Sequence, residues 1–192
     1  TNSYIEEIWA YGYWAIDRCA RIIKEGASFK EVTKGDLAEV EGCIAQAYAI
    51  KALCSFYLTN MFGLPYSEAN KTTLGIVNVT EPVPAYSQVS RVSVEQNYSL
   101  ILDDITKAKE YYAKEGVENV GKQYMNTAAV AALEARVKLY MKNYEGAITA
   151  AQEAITLSGG TIVSTKEDYK NMYTTLAVST EDIFFIAKAE DD

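Results

Sequence analysis

The spacing of apolar residues divides the chain into five amphipathic stretches and one long aperiodic one. Ile5, Ile8, Trp9, Gly12, Ile16, Cys19, Ala20 and Ile23 recur at the i, i+3, i+4, i+7 interval of one buried helical face. They predict a helix from about Tyr4 to Lys24, with Gly26 as its stop. A second helix is expected from near Asp36, a candidate N-cap with Glu39 three residues on, to about Met61. From Cys43 to Leu58 it is apolar nearly all round, which makes it the central helix, and Gly63-Leu64-Pro65 ends it. Because the run Ile44 to Met61 still carries Gln46, Lys51, Ser55, Thr59 and Asn60, it reads as a core helix and not a membrane span.

Residues 61–92 lack helical period and contain all three prolines, an insertion long enough to be a binding or docking element. Ser93 and Gln96 form a capping box that opens a third helix, whose buried stripe is Val94, Tyr98, Ile101, Ile105 and Ala108. Helices four and five are expected over about Thr127–Lys142 and Tyr144–Leu157, the latter closed by Gly159-Gly160. Residues 161–192 read as an irregular end with a short helical piece near Glu167–Tyr173. A strand-like run, Ile183 to Ile186, follows without a partner strand. The class is all-α.

A repeat underlies the helices. Ala131, Ala135, Tyr144, Ala147, Ala151 and Ala154 stand at offsets 4, 8, 17, 20, 24 and 27, where tetratricopeptide (TPR) hairpins need small or packing residues. Ile101, Ile105 and Ala108 repeat the second-helix pattern; Ala45 and Ala49 supply a first-helix pair, and Ile16, Ala20 and Ile23 another second helix. The order reads B1, A2, insertion, B2, A3, B3. Stacked repeats bury their faces only against neighbours, so an absent first A helix predicts a truncated protein.

Composition narrows the chemistry. The chain has 192 residues, 49% apolar and 23% charged, which are ordinary globular values. With no histidine it has no imidazole base, no Ser-His or Cys-His pair and no His metal ligand. A net charge of -8 and scattered basic residues argue against nucleic acid as a partner. Cys19, Cys43 and Cys54 lack metal-ligand spacing. If the first two helices form a hairpin, Cys19 and Cys43 fall at similar levels, and a disulfide or buried free thiols are both open, with free thiols preferred. Asp103 and Asp104 diverge by about 100° on a helix and cannot converge on one bond, so Asp104 is expected in a structural hydrogen bond or ion pair. The Glu181-Asp182 and Glu190-Asp191-Asp192 runs read as solvated charge.

Taken in order, these motifs resemble the SusD/RagB-like outer-membrane nutrient-binding lipoproteins. Similar to that family are Trp9-x-x-x-Tyr13-x-x-Ile16 and the alanine-rich helix running into Met61-Phe62-Gly63-Leu64-Pro65-Tyr66. So are Arg91-Val92-Ser93, Tyr98-x-x-Ile101-x-x-Asp104 and Ala128-Ala129 through Leu139-Tyr140 to Tyr144-x-x-Ala147. Glu181 to Phe185 is similar to a segment that follows the family's helical repeats. Departures are Cys19, where many relatives carry a polar residue, and Lys51, near a position often occupied by Arg. The resemblance implies a partial SusD-like domain over 1–192 with a TPR-like scaffold docking on a TonB-dependent, SusC-like outer-membrane transporter. It also implies a surface-exposed, non-enzymatic glycan-binding role, no cofactor, and a lipid anchor and C-terminal region not contained in this chain.

The 15 tyrosines, several on repeat-helix positions (Tyr13, Tyr48, Tyr98, Tyr140, Tyr144), read mainly as packing. The remaining aromatics are candidates for stacking on the apolar face of a sugar ring. Trp9 shares a helix face with Tyr13 and lies about 140° from Trp14; Trp9 and Tyr13 serve either the core or a ligand. Asn2, Tyr4 and Tyr11 are freer to meet one. Tyr66, Asn70 and Tyr86 in the insertion suit ligand binding, partner docking or an ordinary surface loop, while Arg91 is expected to fix the insertion through carbonyls. Two functions follow: glycan binding, and a TPR-like protein-interaction scaffold without a small-molecule site.

Overall fold

Short polar side chains standing just before apolar periods start most of the helices. In the structure, a computed structural model that describes residues 2–29, 34–174 and 179–186, there are six: α1 (Ser3–Ser28), α2 (Lys34–Phe62), α3 (Val94–Tyr112), α4 (Thr127–Tyr140), α5 (Tyr144–Ser158) and α6 (Lys166–Thr174). Asn2, Asn126 and Asn143 each accept the backbone N–H of a first-turn residue, and Ser93 with Gln96 completes the expected capping box. Asp36 is not an N-cap, because α2 begins at Lys34 and leaves it in the first turn. α4 stops at Tyr140, since Lys142 takes a left-handed backbone (φ 62°) that turns the chain into α5. Left-handed Gly159 (φ 59°) ends α5.

Gly26 does not stop α1, which continues to Ser28. A Cβ there would lie 2.8 Å from the Ile44 side chain, so this glycine serves the crossing of α1 and α2. No helix among the described residues is long and apolar enough to cross a membrane.

α2 packs against α1 on one side and α3 on the other, while α4 pairs with α5. This is the stacked TPR-like arrangement of helical hairpins, with α2 as the central element. Its fully buried Ala45, Ala49 and Ala52 let the neighbouring backbones approach and, with Phe56, join Tyr98, Ile101 and Ile105 of α3 and Val130 of α4 in the main core. On the opposite side Leu58 meets Ile16 and Ala20 of α1 and Ile76 and Val79 of the insertion in a second, smaller core. Ala147, Ala150 and Ala154 are the buried alanines of α5, whereas Ala135 and Ala151 are only half-buried.

Several tyrosines do pack. Tyr98 is buried with its hydroxyl on Asn60 Oδ1 (3.0 Å), and Tyr112 donates to the Met125 carbonyl (2.8 Å). Tyr140 is about half exposed yet meets the core Phe56 edge-on (5.0 Å), whereas Tyr144, expected to pack as well, is 59% exposed. Ile183 to Ile186 form no strand: Ile183 and Phe184 lie against the main core and the Phe185 N–H donates to the Lys122 carbonyl (3.1 Å). Glu181 and Asp182 are half-buried turn-formers, accepting the backbone N–H groups of Val163 and Ser179, and are not solvated charge. The Glu190–Asp192 run lies outside the described residues. All three cysteines are free; Cys19 is buried, Cys54 half-buried and Cys43 exposed, so the expectation of buried thiols holds for the first and not for Cys43.

Candidate functional site

The insertion has no regular secondary structure beyond an isolated bridge between Leu74 and Ser93, so its backbone polar groups need partners elsewhere. Side chains from three helices supply them. Tyr13 of α1 both accepts the Val77 N–H (2.8 Å) and donates to the Val77 carbonyl (3.1 Å). Asn97 of α3 does the same for Ile76, accepting its N–H at 2.7 Å and donating to its carbonyl at 3.1 Å, with Asn78 Oδ1 at 2.6 Å. Lys51 of α2 donates to the Val79 carbonyl at 3.2 Å. Arg91 within the insertion holds the carbonyls of Phe62 (2.8 Å), Leu74 (3.2 Å) and Gly75 and so performs the fixing role expected of it. The 75–79 segment is thereby held beside α1.

Lys51 and Asp104 form the one ion pair of the described residues with both side chains buried, at 3.0 Å and 3% exposure each. Asp104, expected in a structural hydrogen bond or ion pair, is thus in an ion pair. Its Oδ2 has no hydrogen-bond partner. Burial pushes its carboxyl up to about 6, against the attraction of Lys51. Burial also raises the Tyr13 phenol above its ordinary value, opposed by its bond to Val77 and by Arg91, so the clamp stays protonated at neutral pH.

Between α1 and the clamped insertion lies a groove of about 320 Å³. Trp9, Tyr13, Trp14 and Asp17 line it from α1, and Val77, Val79, Val83 and Val89 from the insertion. Trp9 is braced by Tyr13 (ring centroids 4.8 Å, tilted) and edge-on by Phe62 of α2 (4.8 Å). Trp14 is 60% exposed and meets Tyr11 edge-on at 5.4 Å, which extends the aromatic surface out of the groove. Asp17, which pairs with Arg21 at 2.7 Å, is the only carboxylate of the lining. Indole and phenol faces beside valines offer apolar stacking, with one charged pair at the edge for hydroxyl groups. Acid–base cleavage of a glycosidic bond needs two convergent carboxylates, and this lining holds one.

The structure brings few of the sequence candidates together. Trp9 lies in the groove wall, and Tyr11 borders it through Trp14. Tyr4 is 74% exposed at the start of α1, where the Asn2 side chain caps the helix by accepting the Tyr4 N–H. Tyr66 packs edge-on against Tyr98 (4.9 Å) at the main core, and Asn70 donates to the Pro65 carbonyl within a local turn. Tyr86 is fully exposed with a left-handed backbone (φ 64°), on the loop joining the groove residues Val83 and Val89. Sequence reasoning left Tyr13 open between core and ligand and placed Trp14 in the α1 aromatic cluster without making it a site residue; Asp17 and the four valines it missed. The alternation Val77-x-Val79 was the available signal, since residues two apart share one face of an extended segment.

Residues 1–139 match the sequence model of the SusD-like_3 family, described as starch-binding and associating with the outer membrane. No curated protein matches the chain. Among solved structures, a SusD superfamily protein from Bacteroides thetaiotaomicron VPI-5482 is 28% identical with a TM-score of 0.80, over 92% of this chain and 37% of its own. Another from Bacteroides vulgatus ATCC 8482 is 26% identical with a TM-score of 0.84, over 96% of this chain and 41% of its own. A third, from Bacteroides fragilis, is 23% identical with a TM-score of 0.81, over 100% of this chain and 43% of its own, and bears on the fold alone. This chain thus spans roughly two fifths of the length of these solved relatives.

Proposed function

The chain belongs to the SusD-like family of starch-binding proteins associating with the outer membrane, and we propose that it is the helical part of a surface-exposed, non-enzymatic glycan receptor. The observation that carries this reading is the groove in which Trp9, Tyr13 and Trp14 converge on the valines of the insertion. A pyranose ring presents an apolar face to such indoles, and its rim hydroxyls reach Asp17 and Arg21. Binding proceeds without bond breaking, and the bound oligosaccharide passes to a TonB-dependent transporter on which the helical scaffold docks. Starch-type oligosaccharides are the first ligands to test, given the family's description.

Isothermal calorimetry with linear α-glucan oligosaccharides tests the reading. Trp14→Ala removes one stacking face and is expected to weaken binding about tenfold, since a stacked aromatic contributes roughly 1 kcal/mol beyond the area it covers. An unchanged affinity in Trp14→Ala places the ligand elsewhere, and turnover of any oligosaccharide ends the non-enzymatic reading.

A second reading, a protein-interaction scaffold, has its own support. Tyr144, Ile148 and Ile155 stand exposed along one stripe of α5, an apolar face that no other described element covers. The two readings divide the molecule between its ends: the α1 groove for ligand, the α5 face for protein.

A further inference from the structure

Val79 takes part in two structures at once. Its side chain lines the groove, and its carbonyl accepts from the Lys51 ammonium, which lies 3.0 Å from Asp104 on its other side. The 75–79 segment is therefore joined through Lys51 to a buried ion pair whose Asp104 Oδ2 has no partner. Burying a carboxylate is costly unless every oxygen is satisfied, and lifting this segment would readmit water to it.

We propose that Lys51 and Asp104 are positioning residues for the groove: the closed segment binds a proton at Asp104, and the groove loosens as pH rises. The inference rests on reading the groove as the ligand site, although its test does not use a ligand. Cys19 of α1, Tyr48 and Cys54 of α2 and the exposed Asp103 of α3 are the other titratable groups about the pair, and the 75–79 segment brings none. Burial pushes Cys19 up to about 12 and raises Cys54 and Tyr48, so these stay neutral near pH 6. Asp104 is left to respond.

The sign follows from linkage. Burial in the folded chain holds the Asp104 proton more tightly, up to about 6 against an ordinary 3.8; with the closed segment supplying part of that burial, closure is favoured at low pH and the advantage is lost as pH rises through about 6. Lifting one segment hydrates the pair only in part. The expected rise in the opening equilibrium between pH 5 and pH 7.5 is about tenfold, with glycan affinity falling by at most the same factor.

Native-state hydrogen exchange at the amides of Ile76 and Val77, corrected for the intrinsic pH dependence of exchange, reads this opening directly. The expected result is an opening constant that rises about tenfold around pH 6, with the Asp104 carboxyl 13C resonance titrating at the same midpoint, and no such rise in Asp104→Asn. A flat profile in the natural chain overturns the proposal, as does an unchanged profile in Asp104→Asn. Should that variant fail to fold, the carboxyl titration decides, because a midpoint near 4 also overturns it. Failure to bind any glycan would sink the proposed function and leave this measurement standing.

Discussion

Gly75→Ala is expected to destabilise the chain by about 3–5 kcal/mol and to detach the insertion from α3. A Cβ at position 75 would stand 1.8 Å from Asn97 Oδ1 and 3.3 Å from the Val94 Cα, a helix backbone atom. Asn97 cannot swing aside cheaply. It is 1% exposed, and its amide holds both backbone groups of Ile76 together with Asn78. Displacing it strands a buried N–H and a buried carbonyl, each worth about 1–3 kcal/mol when unsatisfied, on top of the overpacking. Urea unfolding measures the loss, and loss of exchange protection at Ile76 localises it. Gly42→Ala is the matched control: its Cβ meets only Val117, at 3.6 Å, so the gain in helix propensity should leave stability equal or slightly higher.

Lys51→Met should cost about 3–5 kcal/mol at pH 8, because it leaves the Asp104 carboxylate buried without its counter-ion and the Val79 carbonyl without its donor. The penalty is pH-dependent. Asp104 already prefers its proton when buried, so its contribution to stability is complete below about pH 4 and is lost as pH rises through about 6. Without Lys51 the preference strengthens, and the variant is expected to lose much less stability at pH 4.5 than at pH 8. Unfolding curves at the two pH values measure this, and an equal penalty at both would remove Asp104 ionisation as its cause. Replacing both residues, as Lys51→Met with Asp104→Leu, should recover much of the loss, since a buried pair exchanged for packed apolar side chains is often neutral.

Most of the helices were legible because local information suffices for them: a 3.6-residue period or a polar cap. Ser93 with Gln96 opens α3 where the spacing says, and Gly159 closes α5. The misreadings are long-range in origin. Gly26 looks like a stop in sequence, yet its role is set by Ile44 on another helix. The strand-like period of Ile183 to Ile186 found no partner strand, and the segment settled on the core instead. Glu181 and Asp182 look like solvated charge until the neighbouring N–H groups of Val163 and Ser179 come within reach.

The groove was legible only in part. Trp9 and Tyr11 were noticed because aromatics cluster on α1, but Tyr13 meets Val77 across 64 residues of chain, a distance no periodicity spans. The Lys51–Asp104 pair has a clear trace in the sequence. Lys51 is the only charged residue between Ile44 and Met61, and Asp104 stands on the stripe that buries Ile101 and Ile105. Opposite charges on two buried helix faces have to find each other.

The central claim is that the α1–insertion groove meets the ligand. Trp9 and Trp14 are the only tryptophans of the chain and both line that groove, so their indole N–H resonances are reporters confined to it. In an 15N NMR titration with an α-glucan oligosaccharide, both indole signals should shift along saturable curves that agree with the calorimetric affinity. Saturable shifts confined to the outer face of α5, with both indoles unmoved, would contradict it.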